Sequence, residues 1–162
     1  MSPRVGQGFD VHRFAGPSSG RPLMLMGLQV PHNQGLEGHS DADVMLHALM
    51  DALLGAAGLD DIGAHFPDND AAYKGADSVE LLRRVVDELD GRGWKVVNAD
   101  VTLIGEQPRI GPHRQAMRER IAPVLGLPAE ALNVKATTTE GLGFTGRSDG
   151  LAAQAVVLID RP

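Results

Sequence analysis

The 162-residue sequence predicts an α+β fold, a mostly antiparallel or mixed sheet with helices packed on one face. Five segments have the alternation or β-branched content of strands and three have helical periodicity. Their order, β-β-α-α-β-α-β-β, lacks the regular alternation of a doubly wound sheet. No internal repeat, linker or low-complexity segment divides residues 1–162, so they are expected to form one domain.

Residues 4–12 alternate as a strand, with Val5, Phe9 and Val11 facing one way and Asp10 and His12 the other. A turn at 17–20 leads to a second apolar strand at 22–30, so a hairpin or meander is expected. After a loop at 31–38, the stretch from His39 to His47 holds two histidines, two aspartates and a serine in nine residues. Ser40 is the expected helix N-cap, Asp43 the capping-box acid, and Asp41 and Asp43 the acidic first turn. Along that helix Asp43, His47 and Asp51 form a polar stripe beside an apolar face of Leu46, Leu49 and Leu53. Gly58 stops it, and residues 59–70 form an acidic, turn-rich connection.

A second amphipathic helix at 78–89 places Val79, Leu82, Val85, Val86 and Leu89 on one face, with Gly91 and Gly93 ending it. Residues 94–104 form a strand and 105–111 its exit loop, and Pro112 opens a third helix to about Leu125. A strand at 132–137, a glycine-rich segment at 141–150 and a last strand at 151–159 complete the order.

Composition excludes several function classes. A net charge of -6 argues against a nucleic-acid partner, and six aromatic side chains offer no base-stacking platform. Without cysteine there is no thiolate site, so any metal sits on His, Asp or Glu, which admits zinc and harder ions such as magnesium or manganese. No apolar run approaches the ~20 residues that span a bilayer, and the first residues lack a signal-peptide core. A cytoplasmic protein without a membrane partner is expected.

Chemistry concentrates in three places. Asp10 and His12 on one strand face, with His47 from a helix, make a three-ligand set that leaves a fourth position open, as in catalytic zinc sites. The alternative is a core histidine at 47 with a hydrogen-bond partner and an exposed loop histidine at 39. The strand exit Thr137, Thr138, Thr139 and Glu140 can cradle phosphate oxygens, with Glu140 on a magnesium ion. Thr137 and Glu140 also match a capping box. Residues 141–146 match a dinucleotide fingerprint literally, but no βαβ unit surrounds them and the residues that follow break a helix, so that reading fails.

These segments together resemble the 2-C-methyl-D-erythritol 2,4-cyclodiphosphate synthase family. The resemblance is carried by Gly8-Phe9-Asp10-Val11-His12-Arg13-Phe14, His39-Ser40-Asp41-Ala42-Asp43-Val44 through His47-Ala48-Leu49, Asp61-Ile62-Gly63 with Phe66-Pro67-Asp68, Lys135-Ala136-Thr137-Thr138-Thr139-Glu140, and Gly143-Phe144-Thr145-Gly146-Arg147. It runs from Arg4 to Ile159 without a large insertion.

The resemblance implies a homotrimer with sheets facing a three-fold axis and active sites between subunits. It also implies conversion of 4-diphosphocytidyl-2-C-methyl-D-erythritol 2-phosphate to the cyclic diphosphate plus CMP, in the non-mevalonate isoprenoid pathway. By motif, Asp10, His12 and His47 would hold zinc, and Asp10, Val11 and His12 would border the substrate. His39 and Ser40 would meet the methylerythritol phosphate, with His39 and Thr138 catalytic. Asp61, Ile62, Gly63, Phe66, Pro67, Asp68, Asn69 and Asp70 would line the methylerythritol pocket. The cytidine-diphosphate side would be Gly105, Glu106, Gln107, Pro108, Arg109, Ile110 and Gly111 with Thr137, Thr138 and Thr139, and Glu140 would bind the second divalent ion, magnesium or manganese. Phe144 and Arg147 match positions near the substrate phosphate and the trimer axis. Arg109, Asn69 and Asp149 depart from the lysine, threonine and glutamate common there.

Two other readings fit the same residues. A metal-dependent phosphoesterase would use the open metal position to activate water, with His39 as base. A non-enzymatic trimeric module would use the ions structurally.

Overall fold

A computed structural model describes residues 2–162, and its architecture is α+β. A four-stranded sheet has the order β1-β6-β4-β5, from β1 (Arg4–Arg13), β4 (Lys95–Ile104), β5 (Leu132–Thr137) and β6 (Gly150–Asp160). β6 runs antiparallel to both β1 and β4, and β5 runs parallel to β4. The C-terminal ends of β1, β4 and β5 therefore all lie at one end of the sheet.

The second strand region folds differently from expectation. β2 (Leu23–Leu25) and β3 (Leu28–Val30) pair only with each other around Met26 and Gly27, and do not join β1. Gly27 turns with φ +73°, which leaves only three residues for each strand.

Five helices complete the order: α1 (Val44–Ala57), α2 (Ile62–His65), α3 (Ser78–Gly91), α4 (Arg114–Ile121) and α5 (Gly143–Gly146). The one-turn helices α2 and α5 lie in segments expected to be loops. α4 follows a 3-10 turn at Gly111–His113, and its last turn carries on irregularly to Leu125. α3 begins and ends as its periodicity indicates, capped by Asp77.

The start of α1 is the main correction. Ser40 is not its N-cap; Asp43 is, and Asp41 and Asp43 both precede the first turn. Ala42 has φ +58°, which breaks the backbone two residues too early for a cap at Ser40. The fully buried Asp43 carboxylate accepts from the Leu46, Met26 and Gly27 amides, joining the helix start to the β2–β3 turn. It is a structural tie and not part of a polar stripe. α1 has no solvent face either: of its residues only Asp51 and Gly55 are not buried. A helix apolar all round sits in a core, and α1 lies between the sheet and α3.

Glycine sets how closely α1 approaches β1. A Cβ on Gly6 would lie 2.0 Å from the Ala52 carbonyl oxygen, and one on Gly8 1.9 Å from that of Ala48. The glycine face, which also carries Asp10 and His12, is thus the inner one. Val5, Phe9 and Val11 occupy the outer face and are exposed, with Val97 and Val156 also exposed.

Candidate metal centre and flanking pockets

This close seating brings the C-terminal half of β1 against the first turn of α1. Asp10 and His12 project from the inner face of β1 and meet His47. Asp10 Oδ2 lies 2.9 Å from His12 Nε2 and 3.1 Å from His47 Nδ1, and the two ring nitrogens are 3.1 Å apart. Ligands at about 2.0–2.1 Å from a tetrahedral zinc stand about 3.3 Å from each other, so a triangle of this size fits the ion after a small expansion. Among the described residues this is the one cluster of three metal-type side chains.

The outer nitrogens are held as well. His12 Nδ1 donates to the Glu37 carbonyl oxygen at 2.6 Å, which turns Nε2 toward the cluster. His47 Nε2 faces Ser40 Oγ at 3.2 Å and Ser78 Oγ at 3.1 Å.

Electrostatics agrees with a cation site. Burial works to raise the Asp10 pKa, but hydrogen bonds from His12 and His47 outweigh it and bring it down to about 2. Burial works to lower the His12 pKa, but Asp10 outweighs it and the value rises. Burial raises the Asp43 carboxyl to about 7, against its backbone hydrogen bonds. Asp51 is raised too, chiefly by burial; its carboxylate accepts from the Ile62 amide at 2.8 Å, tying α1 to the wall of the cavity.

The cluster opens into a cavity of about 520 Å³ lined by Asp10, His12, His39, Ser40, His47, Ile62, Gly63, Phe66, Pro67, Asp68 and Asn69. His39 sits at its mouth, with Nε2 2.7 Å from the Asp70 carbonyl oxygen. The Asp61 and Asp70 carboxylates turn away to cap the short helices behind the wall. Gly38, Met50, Tyr73 and Leu81 also line the cavity, and nothing in local sequence pattern marks them.

A second cavity, about 480 Å³, lies at the ends of β4 and β5. Gly105, Glu106, Pro108, Arg109, Ile110 and Gly111 line it with Thr137 and Thr138, and Pro112 and Arg114 add to the expected set. Gln107 and Thr139 are not in its lining. Glu106 Oε2 accepts from the Thr139 amide and Oε1 from the Gly141 amide, both at 3.2 Å. Those two amides are therefore already engaged. Glu140, between them, has φ +55° and an exposed side chain. The capping box suggested for Thr137 and Glu140 does not form; Thr137 Oγ1 donates to the Thr138 carbonyl oxygen.

A third hollow, about 340 Å³, is lined by Val11, His12, Arg13, Phe144, Arg147, Asp149 and Gly150. Arg147 pairs with Asp149 at 3.1 Å. Phe144 and Arg147 thus lie in a separate hollow whose lining shares only His12 with that of the main cavity. The first two cavities share one end of the sheet, but three strand spacings separate β1 from β5, roughly 14 Å.

Known proteins share this fold. The 2-C-methyl-D-erythritol 2,4-cyclodiphosphate synthase of Alkalilimnicola ehrlichii is 58% identical over 158 residues, covering 98% of this chain and 95% of the relative. Among solved structures, the bifunctional IspDF of Campylobacter jejuni superposes with TM-score 0.94 at 43% identity, covering 99% of this chain and 43% of that longer chain. A CDP complex of IspF from Plasmodium falciparum gives TM-score 0.85 at 29% identity, covering 99% of this chain and 97% of that one. With a model of the YgbB family matching residues 3–160, the chain belongs to that family.

Proposed function

We propose that this protein closes 4-diphosphocytidyl-2-C-methyl-D-erythritol 2-phosphate to 2-C-methyl-D-erythritol 2,4-cyclodiphosphate, the product that its relatives' names give for them, and releases CMP. The observation that carries this reading is the Asp10–His12–His47 triangle opening into a cavity large enough for a phosphorylated tetrol.

An oxygen of the 2-phosphate attacks the β-phosphorus, and the bond from that phosphorus to the bridging oxygen breaks, so CMP leaves with the bridging oxygen. The nucleophile is already an anion and needs no general base. The protein's work is to fold the substrate and neutralise charge. Zinc or a similar ion on Asp10, His12 and His47, and magnesium or manganese on Glu140, would supply Lewis-acid neutralisation of the diphosphate. His39 and Ser40 receive the methylerythritol phosphate, Ile62, Gly63 and Phe66 to Asn69 enclose the carbon chain, and His39 and Thr138 steady the developing charge. The second cavity takes the cytidine diphosphate; that the Plasmodium relative forms a CDP complex supports a cytidine-diphosphate site on this fold.

The site is completed between subunits of a homotrimer. The roughly 14 Å between β1, beside the first cavity, and β5, beside the second, supports this, as does the exposed apolar strip of Val5, Phe9, Val11, Val97 and Val156 on the outer sheet face.

Phosphorus NMR of the protein with that substrate, zinc and magnesium, with and without chelator, tests the reaction. Metal-dependent appearance of the cyclic diphosphate together with CMP is expected. CMP with an uncyclised diphosphate would hand the site to a phosphoesterase that activates water, and untouched substrate with metal bound would remove both enzymatic readings.

A further inference from the structure

His47 can ligate through Nδ1 only if its proton sits on Nε2, and both nitrogens have polar neighbours. The choice is made one shell further out. Ser78 is fully buried at the start of α3, with Oγ 3.1 Å from His47 Nε2. Its hydroxyl donates to Asp41 Oδ1 at 2.5 Å, and its backbone amide donates to Asp41 Oδ2 at 3.0 Å. A carboxylate only accepts, so the single hydroxyl proton of Ser78 is committed to Asp41. Ser78 Oγ can then offer His47 nothing but a lone pair. His47 Nε2 must donate, so Nδ1 is the nitrogen that faces Asp10 and His12, where a cation can take the place of any proton shared with Asp10. Ser40 Oγ, 3.2 Å away, can serve either role and decides nothing.

We propose that Asp41 and Ser78 are positioning residues that fix the Nε2–H tautomer of His47 and so prepare Nδ1 for the metal. Asp41 does this while joining two elements: it also accepts from the Asp43 amide, so one carboxylate ties the loop before α1 to the first residue of α3. The parallel with His12 is direct, since the Glu37 carbonyl fixes the opposite tautomer there and frees Nε2. Outer partners of this kind commonly change metal affinity by about 10–100-fold. The inference rests on the metal reading of the triangle.

Two measurements on the full chain test it. In metal-free protein labelled with ¹⁵N in the histidine rings, the ring spectrum is expected to show a proton on Nε2 of His47 and on Nδ1 of His12. Titration with Co²⁺ against a chromophoric chelator is expected to show about 10–100-fold weaker binding for Ser78→Ala, with the circular dichroism of the wild type. Asp41→Asn, which removes the obligate acceptor and keeps its size, is the second variant should Ser78→Ala fail to fold. An unprotonated Nε2 at His47 in the wild type, or wild-type Co²⁺ affinity in either folded variant, would overturn the positioning role alone. A wild-type protein that binds no Co²⁺ would instead overturn the metal reading beneath it.

Discussion

The two cavities at the end of the sheet are built on opposite plans. The candidate metal triangle is made of side chains on regular elements, with His12 held from behind by Glu37 and His47 by Ser40 and Ser78, while Asp51 holds the Ile62 amide in the pocket wall. The second cavity is made of exposed loops, ordered largely by one carboxylate, Glu106, reaching from the β4 exit to the β5 exit. The difference is one of preorganisation. On the proposed reading, a centre that holds a cation is finished within one chain, whereas a surface for a flexible nucleotide waits for its ligand and a neighbouring subunit.

Four experiments break or sharpen this contrast. The largest effect is expected from His47→Ala, which removes one ligand. Losing a Lewis acid worth several kcal/mol should cut turnover by on the order of 10³-fold or more. Circular dichroism should stay native, because the core helix keeps its other contacts; unfolding on chelation would instead mark the ion as structural.

Gly8→Ala attacks the rigidity of the same pocket without touching a ligand. The added methyl would lie 1.9 Å from the Ala48 carbonyl oxygen, so β1 must move away from α1. Denaturant unfolding should show a loss of about 1–3 kcal/mol or more, and Co²⁺ affinity should fall as Asp10 and His12 separate from His47.

Glu106→Ala should loosen only the second cavity. Removing two hydrogen bonds to a charged acceptor is expected to raise KM roughly tenfold, with Co²⁺ affinity unchanged. A fall in Co²⁺ affinity of the same size would show that the two regions are not independent.

The smallest effect is a pH dependence confined to the metal-free protein. His12 has a raised pKa, so its contribution to stability is full below 6.5 and is lost as pH rises through the folded value. Asp10 has a depressed pKa, so its contribution is present above 3.8 and is lost as pH falls through about 2. Chelated protein should therefore be more stable near pH 5 than near pH 8. His12→Asn should flatten that slope in thermal melts.

The same contrast explains what the sequence revealed. The metal triangle was legible because two of its members share a strand face and the third sits on a helix in a motif-rich stretch; Asp10, His12 and His47 do converge. β5 and α3 also follow their periodicity. The start of α1 was not legible, because Asp43 caps the helix through contacts with Met26 and Gly27 that no local pattern contains. The alternation of β1 was visible, but not that its glycine face is the inner one, which depends on how closely α1 approaches. Ser78 shows in sequence only as a helix start. Its meeting with His47, 31 residues away in the chain, is a product of packing.

Subunit mixing tests most directly the central claim, that the two cavities act on one substrate across a subunit boundary. His47→Ala kills the metal half, and Thr138→Ala with Glu140→Ala kills the nucleotide half. Each variant alone should be inactive. Co-expressed in equal amounts and assembled at random, every mixed trimer has one intact pair of halves, so activity should return to about a quarter of wild type. Mixed trimers that remain as inactive as either parent would contradict the claim and place both halves of the site within a single chain.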